Sequence, residues 1–122
     1  MSDALAEETF RSLRPGHSVR AILWRSVDAL RRALGLGDER SAAAFIPRRD
    51  GPVLGDLHFA AGAWDLETVG HEVQHAVQHR IERVGPDRRE LAAQLRGAEE
   101  EVATEAGRWV AHVARWLHQV DR

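Results

Sequence analysis

The chain has 122 residues, with 17 basic and 19 acidic side chains and a formal net charge of −2. That length suits one domain with a modest core, and the near-neutral balance offers no broad basic field for nucleic acid or an anionic membrane. There is no cysteine, so disulfides, thiolate catalysis and Cys-ligated zinc are excluded, and any metal must be held by His, Asp or Glu.

No apolar run approaches the roughly 18 residues of a membrane span. The opening MSDALAEETFRSLRPG is acidic and lacks the basic-then-apolar order of a signal peptide. A single cytoplasmic domain over residues 1–122 is expected, with no nucleic-acid or membrane partner.

Residues 3–14 read as a short helix, with Leu5, Ala6, Phe10 and Leu13 on one side and Pro15-Gly16 as its stop. VRAILW (19–24) reads as a strand. Ser26 then caps a helix that ends at Gly35 or Gly37. AAAFIP (42–47) is a weak strand, followed by the turn composition of RRDG (48–51). VLGDLHFA (53–60) alternates, with Val53, Leu57 and Phe59 on one face and Asp56 and His58 on the other. That pattern suits a strand with one solvated side, as at a sheet edge.

Asp65 can cap the next helix, with Trp64 and Val69 placed as a hydrophobic staple. Leu66, Val69, Val73, Ala76, Val77, Ile81 and Val84 then recur at helical spacing until Gly85-Pro86. Asp87 and Glu90 form a capping box for a further helix. From 88 to about 120, Leu95, Val102, Ala106, Trp109, Val113, Trp116 and Val120 make an apolar seam in 4-3 spacing. A continuous helix of that length would reach about 50 Å, so a break near Gly97 or a protruding arm over 101–122 is expected. Trp109 and Trp116 read as core or partner-interface residues; a protruding arm would expose them and call for a partner, most simply a second copy of the chain.

The chemistry concentrates in 70-GHEVQHAVQHRIERVG-85. On a helix, His71 and His75 present two imidazoles one turn apart, a spacing that can bind one zinc ion. Glu72 lies beside them, placed to take a proton from water polarised by that ion. This is the HExxH arrangement of metallopeptidases. Composition alone would produce about 0.03–0.04 such matches in a chain of this length, so the motif carries weight. His79 is about 12 Å along the axis from His71 and cannot share the ion; it reads as a rim residue.

A third protein ligand is needed. Folding the two helices back on each other about Gly85-Pro86 would bring 99-EEE-101 level with the histidines. Glu99 falls in the apolar seam, while Glu100 heads a stripe of small residues, Ala103, Gly107, Ala111 and Ala114. Both remain candidates on spacing. Glu101 and Glu105 read as solvated charge, and His112 and His118 as residues without a metal role. His58 is a candidate substrate contact on its strand, able to hydrogen-bond a carbonyl or oxyanion.

LGDLHF, ETVGHEVQHA and EEEVATEAG together resemble small bacterial and phage zinc peptidases related to the ImmA/IrrE family, within the gluzincin class. The resemblance covers roughly residues 19–110 and is specific at the two motifs. It implies a zincin-like α+β domain with a short sheet of about three strands, an active-site helix and a long C-terminal helix or helical pair. It favours Glu100 as third ligand and makes 53–60 the strand along which peptide substrates pair. Thr104 stands where that pattern usually has Asn.

The expected function is zinc-dependent peptide hydrolysis on a protein or peptide substrate. His71, His75 and Glu100 (alternate Glu99) would hold Zn²⁺ and Glu72 would serve as general base. Two other readings stand beside it: an inactive zinc-stabilised regulatory module, and a metal-free helical protein that dimerises through its tryptophan seam.

Overall fold

SVRAILW and VLGDLHFA lie side by side and parallel in the middle of a four-stranded mixed sheet. The computed structural model describes residues 3–11, 18–35, 42–84 and 99–121. In chain order the elements are β1 (Ala4–Arg11), β2 (Ser18–Trp24), α1 (Val27–Leu34), β3 (Ala43–Pro47), β4 (Val53–Ala60), α2 (Leu66–Val84) and α3 (Glu99–Val120). The sheet order is β1-β2-β4-β3, with β1 and β3 antiparallel to their neighbours. The architecture is therefore α+β, with four strands where about three were expected.

Residues 4–11 are a strand, not the start of a helix. Ala6 and Phe10 pack against the core cluster, and a spacing of four satisfies both a helical turn and a period of two. The Ala and Glu content favours helix, but pairing along β2 from Ala4 to Arg11 overrides that weak local preference. The strands at 19–24, 42–47 and 53–60 and the helices after Ser26 and Asp65 lie where the pattern put them. The expected capping box of Asp87 and Glu90 lies outside the described residues. Ser26 accepts from the Ala29 amide at 3.1 Å, and Gly35 closes α1 at φ 65°, a left-handed geometry that glycine adopts without steric cost.

VLGDLHFA is interior rather than an edge strand, because β2 takes one of its sides and β3 the other. Asp56 and His58 are buried accordingly, at 9% and 6% exposure. The free edge beside α2 belongs to β3 instead.

One face of the sheet carries the main core. Val19, Ala21, Leu23, Leu57 and Phe59 pack there against Val69, Val73 and Val77 of α2 and Trp109, Val113, Trp116 and Leu117 of α3. Trp109 is 1% exposed and its indole N–H donates to the Arg11 carbonyl at 3.0 Å. Phe10 meets Trp116 edge-on at 6.0 Å. The C-terminal helix thus lies along the domain instead of protruding, and of the two readings of the tryptophan seam, core or partner interface, the chain's own core takes it. Leu66, assigned to the apolar stripe, is 63% exposed.

The two long helices run antiparallel. Asp121, just after α3, accepts from the Gly62 amide at 2.8 Å and the Trp64 indole at 2.6 Å, both just ahead of α2. Among the described residues no helix is long and apolar enough to cross a membrane.

Candidate metal centre

Helix α2 is started by Asp65, whose carboxylate accepts from the Thr68 amide at 2.7 Å and the Thr68 hydroxyl at 2.6 Å. Those two bonds hold the Asp65 carboxyl below its ordinary value. Val69, Val73, Ala76 and Val77 anchor the inner face of the helix in the core. With that face fixed, His71 and His75 are left exposed on the outer side, one turn apart. Their rings meet edge-on with centroids 4.7 Å apart, and the two Nε2 atoms are separated by 3.1 Å. Two nitrogens bound tetrahedrally at 2.0–2.1 Å to one zinc stand about 3.3 Å apart. The bite already matches.

Glu72 turns inward. It is 8% exposed, and one carboxylate oxygen stands 3.9 Å from His71 Nε2. Ligand atoms of His71, Glu72 and His75 all lie within 4.8 Å of one another, a group within reach of a single metal ion. Among the described residues the Glu72 carboxylate accepts no hydrogen bond. A carboxylate buried without such a partner is costly, and a cation or a proton-donating water would relieve that cost.

The side chains of Glu99 and Glu100 lie outside the described residues. Their helix is anchored by its far end, where His118 packs edge-on against Trp64 at 4.9 Å. Counting back at 1.5 Å per residue puts positions near 107–112 level with the histidine pair, and 99–101 about two turns further on. The sequence-based register was counted about Gly85-Pro86, which lies outside the described residues.

Glu72 and His75 open into a cleft of about 630 Å³ between α2 and β3, shared with Phe45, Pro47, His79 and Glu82. His79 Nε2 is 2.9 Å from the Arg48 carbonyl oxygen; since a carbonyl only accepts, that nitrogen carries the proton. The Phe45 ring lies 5.9 Å from the His79 ring. His79 therefore fastens α2 to the end of β3 and walls the cleft, in keeping with a rim residue.

The pairing of β3 shows which of its backbone groups face that cleft. The Arg48 amide donates to Leu54 and the Ala60 amide to Ala42. In antiparallel alternation, Ala44 and Ile46 then also bond to β4, while Ala43 and Phe45 turn their N–H and C=O groups to the free edge. Pro47, with no N–H, ends the run.

His58 is on the other side of the sheet. Leu57 and Phe59 belong to the core under α2, so by alternation His58 projects toward the α1 face. There its Nδ1 accepts from the Trp24 indole at 3.0 Å. Burial pushes the imidazole below its ordinary pKa, opposed by Asp56 and reinforced by Arg20. The expected substrate contact is a buried structural histidine.

Sequence reasoning missed its neighbour Asp56, which Arg20 reaches at 2.7 Å and Arg48 grips with two bonds of 2.9 and 3.1 Å. Burial alone would raise this carboxyl, but the bonds from Arg48 and Arg20 outweigh it and hold it below the ordinary value. The signal was invisible because parallel register between β2 and β4 is not written in either strand alone. No family model, curated protein or solved structure matches the chain.

Proposed function

We propose that the protein is a zinc-dependent peptidase, related to the ImmA/IrrE peptidases and built on a zincin-like domain, that hydrolyses peptide bonds in an extended protein or peptide segment. The observation that carries this reading is the pair of imidazole nitrogens 3.1 Å apart with a buried carboxylate beside them. Histidine and carboxylate donors without thiolates suit zinc.

His71 and His75 would hold the ion through their Nε2 atoms. For the third ligand we propose Glu100, with Glu99 as alternate. Either assignment requires the start of α3 to lie about two turns nearer the histidines than a straight register from its far end would set it. A zinc ion bound there supplies a Lewis acid that lowers the pKa of water and polarises a carbonyl. Glu72 takes the proton from the attacking water and delivers it to the leaving amine. Its near-complete burial keeps that carboxylate short of solvent competitors, and the free edge of β3 offers backbone groups of Ala43 and Phe45 to align a substrate strand.

The test pairs metal analysis with hydrolysis of a mixed peptide pool. Native protein is expected to hold one zinc and to cleave. Glu72→Gln is expected to keep the zinc and lose cleavage, and an active Glu72→Gln protein would rule out this mechanism. A zinc-bound but inactive native protein supports a zinc-stabilised regulatory module. Metal-free protein whose melting ignores chelator removes the metal reading altogether.

A further inference from the structure

We propose that the cleft beside His75 selects a basic side chain: an arginine or lysine of the bound peptide seats between the Glu82 carboxylate and the Phe45 ring, about three residues from the bond presented to Glu72. The inference rests on the peptidase reading for what the cleft is for, and it names the class of substrate.

Glu82 lies seven residues past His75 on α2, so both share one helical face and line the same cleft. Seven residues advance about 10 Å along a helix, which an extended peptide covers in about three residues.

Among the described residues the formal charge lining the cleft has one sign: Glu72 and Glu82 line it and no arginine does. Arg83, the next residue, donates to the Gly51 and Val53 carbonyls, Arg80 is 6% exposed and does not line the cleft, and Arg48 at the end of β3 donates to Asp56. Glu82 is exposed and has no ion pair or hydrogen bond among the described residues. It also sits in the last turn of α2, where the helix dipole disfavours a carboxylate. Helix stability gives no reason for an acid at this position; a cation arriving with the substrate does.

Glu72 is an independent indication that something polar enters. Its carboxylate is buried, faces the cleft and accepts no hydrogen bond among the described residues. Phe45 completes the subsite. Its backbone faces the free edge of β3 and its ring lines the cleft, so the same residue that pairs with a substrate strand offers an aromatic surface to an aliphatic stem or a guanidinium.

The experiment uses full-length zinc-loaded Glu72→Gln protein, which binds without cleaving. Four fluorescent ten-residue peptides of one sequence carry arginine, lysine, norleucine or glutamate at a single central position. Anisotropy is expected to show the arginine and lysine peptides binding at least 10-fold tighter than norleucine, with glutamate weakest. Adding Glu82→Gln should bring all four within about twofold, without lowering the melting temperature. Equal binding of arginine and norleucine peptides, a preference that survives Glu82→Gln, or no binding of any peptide would overturn the inference. In parallel, native zinc-loaded protein is given the mixed peptide pool. Cleavage without bias for basic residues sinks this inference and leaves the peptidase standing. Charge-selective binding by a native chain that never cleaves does the reverse.

Discussion

The Nε2 atoms of His71 and His75 stand 3.1 Å apart on the exposed side of a helix whose other side is locked into the core. A pair already at this separation needs little reorganisation to accept an ion, so binding is expected to stabilise the fold directly. At zinc about 100-fold above Kd the linkage amounts to about 2.7 kcal/mol, or several degrees in Tm for a domain of this size. His75→Ala should lose this zinc-induced rise and weaken binding by more than about 100-fold, beyond the 10–100-fold typical of outer-shell changes. Calorimetry and zinc titration check both. An unchanged zinc affinity in His75→Ala would place the ion elsewhere.

The metal motif was legible because its spacing is local: i and i+4 on one helix fix two nitrogens without knowledge of the fold. The caps at Ser26 and Asp65 were legible for the same reason. What escaped was everything set by pairing between distant segments. The strand identity of 4–11, the interior place of 53–60 and the clasp of Asp56 by Arg20 and Arg48 all depend on which strands are neighbours. For Trp109 and Trp116 the choice between core and partner interface was not legible, since an apolar seam does not say whether its partner is intramolecular.

Trp109 decides between those two fates of the seam. Its side chain is 1% exposed and its N–H is satisfied by the Arg11 carbonyl. Trp109→Ala should cost about 3–5 kcal/mol, the range for large aromatic truncations in a core. Trp109→Phe keeps most of the packing, loses that bond and should cost about 1–2 kcal/mol. Urea unfolding measures both. A Trp109→Ala protein of native stability that merely changed its association state would return the seam to an interface.

Asp56 is expected to matter for acid stability. Its carboxyl titrates below the ordinary value in the folded chain, so folding favours the ionised form. That contribution is fully present above the unfolded value near 4, and it is lost as pH falls through the folded value. Asp56→Asn removes the charge that Arg20 and Arg48 share. Because both arginines are more than a third exposed and can turn to water, the loss at pH 7 should fall near or below the 3–5 kcal/mol seen for fully buried pairs. Below pH 4 the variant and the parent should converge. Parallel stability curves from pH 7 to pH 3 would contradict the assignment.

His58 has the opposite charge type but the same sign of pH effect. Burial lowers its pKa when folded, so below about 6.5 the unfolded chain takes up a proton that the folded chain refuses. Stability from this group is complete above that pH and declines as pH falls toward the folded value. Asn in its place retains an acceptor for the Trp24 indole but does not titrate. With chelator present to keep metal linkage out, the Tm drop between pH 7 and pH 5 should be smaller in His58→Asn than in the parent. An identical drop would mean that His58 is accessible to protons in the folded state.

Gly55 connects the interior strand to the cleft. A Cβ built there would stand 2.5 Å from the Ile46 carbonyl oxygen and 2.6 Å from the Phe45 ring, so the ring lies directly over the glycine. The ring can swing but the carbonyl belongs to the β3–β4 ladder, so Gly55→Ala must displace both. Overpacking of this kind typically costs about 1–3 kcal/mol. Phe45 walls the cleft that also holds Glu72 and His75. Gly55→Ala should therefore lower peptide affinity while leaving zinc affinity intact, because His71 and His75 are carried by α2 alone. Titrating zinc and peptide separately against the variant distinguishes the two effects. Equal loss of both would mean that the substitution has disturbed α2 rather than the strand edge.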